Sequence, residues 1–334
     1  MRSGNKSLGQ SIAQSGIEYT TNNINSRNTK TIVGTIICQN ADIFNSFDRV
    51  SFVPILNSKY ITLLDMPMRQ TRKKFKNPGP KKCSPLSKKR GTGKTCLPPD
   101  VERRIKHTVR AKCKKNDGRC IVNNSSLSDS EKEVLLKKYF RPLQPKEWKK
   151  NPHTWLTNED IQGAMKQFED AYTHYKFIGV VPIDFTAPDP YDKSTKKCMN
   201  PEFCHIDLKQ EKANGKTMLG AVFNLDPHYK GGSHWVGLAI DLNRMKAYYF
   251  DSYGVKPPEQ VARYMRYLTL QEPSLVLESN GRRFQYSDTE CGMYSMYFLY
   301  CMMDGMEFKK FCKHPISDEW MYKFRTVFFD TDAP

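Results

Sequence analysis

No stretch of this 334-residue chain reads as membrane-spanning: Thr31–Cys38 is apolar but far shorter than the roughly 20 residues a spanning helix needs. The N-terminus is rich in Ser, Asn and Gln and lacks an apolar core, so no secretory signal is visible. No Cys-x2-Cys pair occurs among the ten cysteines, at 38, 83, 96, 113, 120, 198, 204, 291, 301 and 312. The spacings around Cys83, Cys96, Cys113, Cys120, Cys198, Cys204 and His205 make poor zinc knuckles, and neither a metal nor another cofactor is expected. These absences point to a soluble protein with free thiols in a reducing compartment. A nucleotide-binding loop is also missing. Gly91-Thr92-Gly93-Lys94-Thr95 resembles the end of one, but Lys88 stands where its first glycine belongs and no apolar strand precedes it.

Acidic residues are scarce in one segment. Residues 69–119 carry 19 Lys and Arg against Asp100, Glu102 and Asp117, whereas residues 120–334 carry 28 of each sign. Most of the net charge of +18 therefore sits in a basic arm ahead of a balanced domain. The arm reads as a solvated linker, a nuclear-type sorting signal, or a phosphate-binding surface for DNA or RNA without sequence readout. Phe75 is its one aromatic residue, which disfavours base stacking. The organisation expected is a partly disordered leader over 1–66, a basic N-terminal arm with short helices over 67–149, and a folded domain over 150–334. Met66 and Met68 are alternative starts, which would place the leader outside the mature protein.

Apolar runs at Val33–Cys38 and Phe52–Leu64 are candidate strands in the leader, and residues 67–100 read as a flexible linker. Residues 98–113 suggest a basic helix capped by Asp100. Ser128 with Glu131, or Ser130 with Glu133, has capping-box spacing for a helix to Tyr139. Beyond 150 the pattern is that of a compact α/β domain. A helix runs from Thr157 or Asn158 to about Tyr175, with Ile161, Met165, Phe168 and Tyr172 on one face. Strands are expected at Phe177–Phe185, Met218–Leu225, His234–Leu242, Met245–Asp251 and Arg283–Tyr286. Asn243-Arg244 marks a tight hairpin between the third and fourth. Helices are expected at Pro257–Tyr267, Cys291–Met303 and Ser317–Phe328.

The chemistry concentrates within sixty residues. Gly231-Gly232-Ser233-His234-Trp235 ends a loop and opens a strand, and the paired strand ends at Tyr249-Phe250-Asp251-Ser252. A hairpin of that length sets His234 beside Asp251, the imidazole–carboxylate pair of a general base. Cys291 opens the apolar helix, and helix N-termini favour thiolates. Its backbone N–H and the Gln285 side chain are candidate oxyanion donors, and Gly292 leaves room for a substrate backbone. Taken singly, each residue has a plain structural explanation: a packed thiol, a core His-Trp, a turn-capping Asp. Their joint order and spacing point to a cysteine protease with Cys291 as nucleophile, His234 as base and Asp251 orienting it.

His-Trp, an aspartate seventeen residues on at Tyr-Tyr-Phe-Asp-Ser, then Gln-x5-Cys-Gly, resembles the ubiquitin-like-protein protease and adenovirus endopeptidase family. Trp155-Leu156-Thr157-Asn158-Glu159-Asp160-Ile161 and Ala221-Val222-Phe223-Asn224-Leu225 are similar to that family's helix opening and to the strand before its histidine. Lys82-Cys83-Ser84-Pro85, Thr95-Cys96 and Phe140-Arg141-Pro142 with Trp148 resemble its members in large DNA viruses, of the African swine fever virus and giant-virus type. The resemblance implies an α+β, papain-like cysteine protease fold in the ubiquitin-like-protease (adenain) arrangement. It implies cleavage of capsid or core precursor polypeptides after small pairs such as Gly-Gly, with action in the host cytoplasm and the virion and no membrane partner. It makes Trp155 the wall of a narrow substrate tunnel, or else a packing residue at a helix start. Trp235 either covers the His234–Asp251 pair or belongs to the core. Rival functions are a deSUMOylase or deubiquitinase, a nucleic-acid-binding virion protein, and, more remotely, acetyl transfer from a similar cysteine site.

Overall fold

The computed structural model describes residues 36–38, 82–89, 95–114, 116–190, 192 and 197–330. The expected strand Phe52–Leu64 and most of the leader lie outside them. The sheet contains β1 (Ile36–Cys38), β2 (Tyr175–Pro182), β3 (Met218–Asn224), β4 (Trp235–Asp241), β5 (Lys246–Phe250) and β6 (Val276–Asn280), in the order β1-β6-β5-β4-β3-β2. β3, β4 and β5 are antiparallel neighbours; β2 joins β3, and β6 joins β5, in parallel. β1 adds a short parallel edge to β6. Every residue of β3 and β4 is buried, because helices cover both faces.

Alternation decides what each face meets. Trp235, Ala239, Tyr248 and Phe250 enter one core, while Val236, Leu238, Ile240 and Tyr249 enter the other. The first core lies under α5 (Asn158–Ala171), α9 (Cys291–Met303) and α11 (Asp318–Phe328). Thr157 and Asp160 form a capping box that opens α5 and leaves Ile161, Ala164, Met165 and Phe168 facing inward. All thirteen residues of α9 are buried, as befits a helix apolar on every side. The second core lies under α8 (Glu259–Gln271) and the short α6 (Pro201–Cys204) and α7 (Leu208–Ala213).

Residues 82–140 build a third, smaller core from α1 (Pro85–Lys89), α2 (Pro99–Lys106), α3 (Gly118–Asn123) and α4 (Asp129–Tyr139). Of the two capping-box readings for α4, the structure has Ser128 with Glu131. α2 ends at Lys106, well short of residue 113, and its N-cap is Pro98; Asp100 lies in its first turn. The flexible-linker reading also fails where the segment is described: Cys83, Leu86, Cys96 and Leu97 are buried. The expectation of free thiols is overturned as well. Cys83–Cys96, Cys113–Cys120 and Cys198–Cys204 are disulfides, whereas Cys291 and Cys301 are thiols. This module is tied to α5, where Gln167 Nε2 donates to the Lys137 and Phe140 carbonyls at 2.9 and 2.5 Å. It is tied to the C-terminus by Arg119 with Asp330. The Cys83–Cys96 link closes a loop of sequence separation 13, a constraint of about 3 kcal/mol in the chain-entropy model. Cys83→Ser/Cys96→Ser is therefore expected to lower the denaturant midpoint of the module; circular dichroism during urea titration checks it, and an unchanged midpoint counts against it.

Two elements differ from expectation for a shared reason. Arg283–Tyr286 is a loop, because the Phe284 and Gln285 amides both donate to the Ser252 carbonyl at 2.8 and 2.9 Å. The sixth strand is instead Val276–Asn280, whose polar residues hid it. Its buried Glu278 is paired with Lys246 at 2.7 Å, and its buried Asn280 bonds the backbone of Asp251.

Candidate active site

The β4–β5 hairpin turns at Asp241, whose Oδ1 accepts from the Asn243 and Arg244 amides at 3.0 and 2.9 Å. Its register pairs Gly237 with Phe250, and continued past the last bonded pair it sets His234 opposite Tyr253. The loop before His234 is gathered by the Asn224 side chain, which accepts from the Asp226 and Ser233 amides. Gly232, at φ +87°, lies against that amide with no space for a side chain.

His234 Nε2 meets Asp251 Oδ1 at 2.7 Å, and Cys291 lies near enough for its sulfur to act on the charge of the imidazole. Two of the four residues singled out as catalytic, His234 and Asp251, are thus directly bonded, with Cys291 close by. Burial by itself disfavours the imidazolium. The hydrogen bond to Asp251, and the charges of Asp251 and Cys291, override it and raise the His234 pKa to about 9. Asp251 is 2% exposed and is held by Asn280, which accepts from its amide at 2.9 Å and donates to its carbonyl at 2.6 Å. Asn280 escaped the sequence reading because its strand did.

Gln285 is fully buried, and it lies alongside the residues that follow Asp251 rather than free in a cleft. Its Oε1 accepts from Ser252 Oγ at 2.7 Å; its Nε2 donates to the Ser287 carbonyl at 2.8 Å and reaches the Tyr253 hydroxyl at 3.4 Å. The segment from Gln285 to Cys291 is braced by Asp318, whose Oδ2 accepts from the Tyr286 and Ser287 amides. Glu290, immediately before Cys291, forms a buried two-pronged pair with Arg325 at 2.6 and 3.1 Å. Neither Asp318 nor Arg325 carried a signal in the sequence, since each lies on α11, far along the chain.

The two tryptophans separate. Trp235 is 4% exposed, and Trp155 is 41% exposed. A Cβ placed on Gly292 would meet Leu156 and Trp235 at 3.2 Å and Ile161 at 3.4 Å. The missing side chain of Gly292 therefore lets α9 seat against those residues; the space is filled, not left to a substrate.

The family model for the Ulp1 protease family, C-terminal catalytic domain, matches residues 214–333. A protein of African swine fever virus (Kenya pig isolate), by name a SUMO-1 cysteine protease, is 35% identical over 196 residues; the match covers 52% of this chain and 67% of that protein. A thiol protease by name from Acanthamoeba polyphaga mimivirus is 29% identical over 185 residues, 52% of this chain and 56% of its own length. The crystal structure of an African swine fever virus protease superposes with a TM-score of 0.52 at 22% identity, covering 71% of this chain and 91% of that one. The α+β architecture described above is thus the protease fold of that group.

Proposed function

The chain belongs to the Ulp1 protease family, and from that premise we propose that it is a thiol endopeptidase cutting structural precursor polypeptides of a large DNA virus after small residue pairs. The observation that carries this is the bond between Asp251 and His234, with Cys291 near the imidazole at the start of a buried helix.

In this mechanism His234 takes the proton of the Cys291 thiol. The sulfur attacks the scissile carbonyl carbon, and the Cys291 amide, at an uncapped helix start, donates to the oxyanion. Gln285 supplies the second donor through the N–H whose present partner, the Tyr253 hydroxyl, is distant at 3.4 Å. His234 protonates the leaving amine as the C–N bond breaks, and water then hydrolyses the thioester to restore the thiol. Cys291 is itself only 2% exposed, which suits a substrate with little side chain at the cut. Exposed Trp155 walls that approach, while buried Trp235 supports it from beneath Gly292.

A nucleic-acid contact is a second reading, favoured by the exposed Arg103, Arg104, Lys106, Arg110, Lys112 and Lys114 on the folded N-terminal module. One experiment addresses both. The full chain is mixed with capsid precursors and with ubiquitin-like precursors, with and without duplex DNA at two salt concentrations, and the new termini are sequenced. Cleavage after Gly-Gly in the viral precursors supports the proposal, and cleavage confined to ubiquitin-like precursors rejects it. Gln285→Ala is expected to lower turnover by roughly 10²–10³-fold with KM little changed; a loss under about threefold would remove Gln285 from the oxyanion site.

A further inference from the structure

Tyr253 touches His234, Asp251 and Gln285 together. Its ring stacks on the His234 imidazole, with centroids 4.7 Å apart and planes at 20°. Its amide donates at 2.8 Å to Asp251 Oδ1, the same oxygen that meets His234. Its hydroxyl donates to the Ser287 carbonyl at 3.2 Å and lies 3.4 Å from Gln285 Nε2. The Arg283 guanidinium lies 5.1 Å from the centre of the same ring and 5.0 Å from that of Tyr286. Resting on the thiol-protease reading, we propose that Tyr253 is a positioning residue with two separable parts: a ring that fixes the plane of His234 and a hydroxyl that aims the Gln285 amide.

The physics of the two parts differs. Asp251 holds the imidazole by a hydrogen bond at its edge, which leaves its tilt to whatever covers its face. Tyr253 covers that face and, being electron-rich, favours the protonated ring. The charged groups around this stack are Asp251 and Cys291 beside the imidazole, with Arg283 and Asp288 nearer Tyr253. Burial and the Cys291 sulfur hold the Tyr253 hydroxyl above its ordinary pKa, so it remains a donor in the working range. The hydroxyl works instead through Gln285, whose Oε1 is fixed by Ser252 and whose Nε2 is flanked by Ser287 and Tyr253. The family's histidine–aspartate–cysteine geometry does not call for this contact; the hairpin register places it here.

The test compares the full-length protein with Tyr253→Phe and Tyr253→Leu by two readouts. One is the pH titration of the His234 imidazole by ¹⁵N nuclear magnetic resonance, assigned with His234→Ala. The other is cleavage of a Gly-Gly aminocoumarin peptide. Tyr253→Phe is expected to leave the titration near pH 9 and to lower kcat several-fold, because only the Gln285 restraint is lost. Tyr253→Leu is expected to move the titration down by about half a pH unit and to lower kcat by roughly 10²-fold. Thermal melts of both should overlay the wild type, since the ring is partly exposed at the surface. A Tyr253→Leu titration identical to wild type overturns the proposal, as does a Tyr253→Phe variant that shifts it equally. An inactive wild type with the expected titrations would instead count against the protease reading alone.

Discussion

Cys291→Ala and Cys291→Ser are expected to abolish peptide cleavage while the melting curve stays in place. The sulfur is the bond-forming atom, and alanine at the first position of α9 fills less space without breaking a cap. His234→Ala should be nearly as inactive, whereas Asp251→Asn should retain partial activity, because asparagine can still accept from Nε2. The pH dependence has a defined sign. His234 has a folded pKa of about 9 against an ordinary value near 6.5, so it is charged throughout the neutral range. Its contribution to stability is fully present below about 6.5 and is lost as pH rises through about 9, where it also ceases to protonate the leaving amine. Cleavage should accordingly fall above about pH 9. Limiting iodoacetamide should label Cys291 ahead of Cys301, since complete burial pushes the Cys301 thiol far up and no neighbouring base offsets it. Mass spectrometry of the alkylated peptides decides this; preferential labelling of Cys301 or Cys312 would remove Cys291 from its role.

The second large effect lies one residue away. Arg325→Met should destabilise the protein by about 3–5 kcal/mol, because it strands Glu290 as a buried, unpaired carboxylate. The guanidinium has further contacts to lose. It donates to the Pro152 carbonyl at 2.7 Å and stacks over the Trp148 ring at 4.0 Å. In a domain of this size that corresponds to a melting temperature lower by roughly 10 °C. The double variant Glu290→Gln/Arg325→Met should recover part of the loss, since no charge is then left buried. Activity should drop with stability, because Glu290 adjoins Cys291 and Arg325 anchors it to α11. Calorimetry on the four proteins of the cycle checks this; an Arg325→Met protein melting within about a degree of wild type would show that the pair is dispensable.

The N-terminal module shows how charge can mislead. Nineteen cations within fifty-one residues read as a solvated arm, and Arg103, Arg104, Lys106, Arg110, Lys112 and Lys114 are exposed. Yet Leu97, Ile105 and Val122 are spaced too irregularly to show a helical period, and they meet only after two disulfides fold the segment back on itself. Cysteine spacing alone gave no pairing, because closure depends on where Phe140 crosses Cys83. Deleting residues 1–119 would remove Arg119 from Asp330 and take away Cys83, Leu86, Leu97 and Ile105, which share a core with Ala171 of α5.

By itself the sequence determined the local and short-range parts. The Thr157–Asp160 cap, the short apolar strand runs 218–224, 235–241 and 246–250, the tight turn at Asn243-Arg244 and the apolar helix at Cys291 are all set by neighbours a few residues apart. So is the approach of His234 to Asp251, because a hairpin fixes distance through its own length. The tertiary structure decided what depends on chain segments that meet late. The strand Val276–Asn280 is polar in sequence and buried in fact, and it could be seen only once Lys246 and Asp251 had been brought to it. Gln285 was legible as a residue but not in its surroundings, which Ser252, Tyr253 and Ser287 supply. Glu290 finds its counter-charge thirty-five positions away, on a helix whose docking no local pattern encodes. Buried polar groups must find partners wherever the fold provides them, and those partners are chosen by packing rather than by sequence distance.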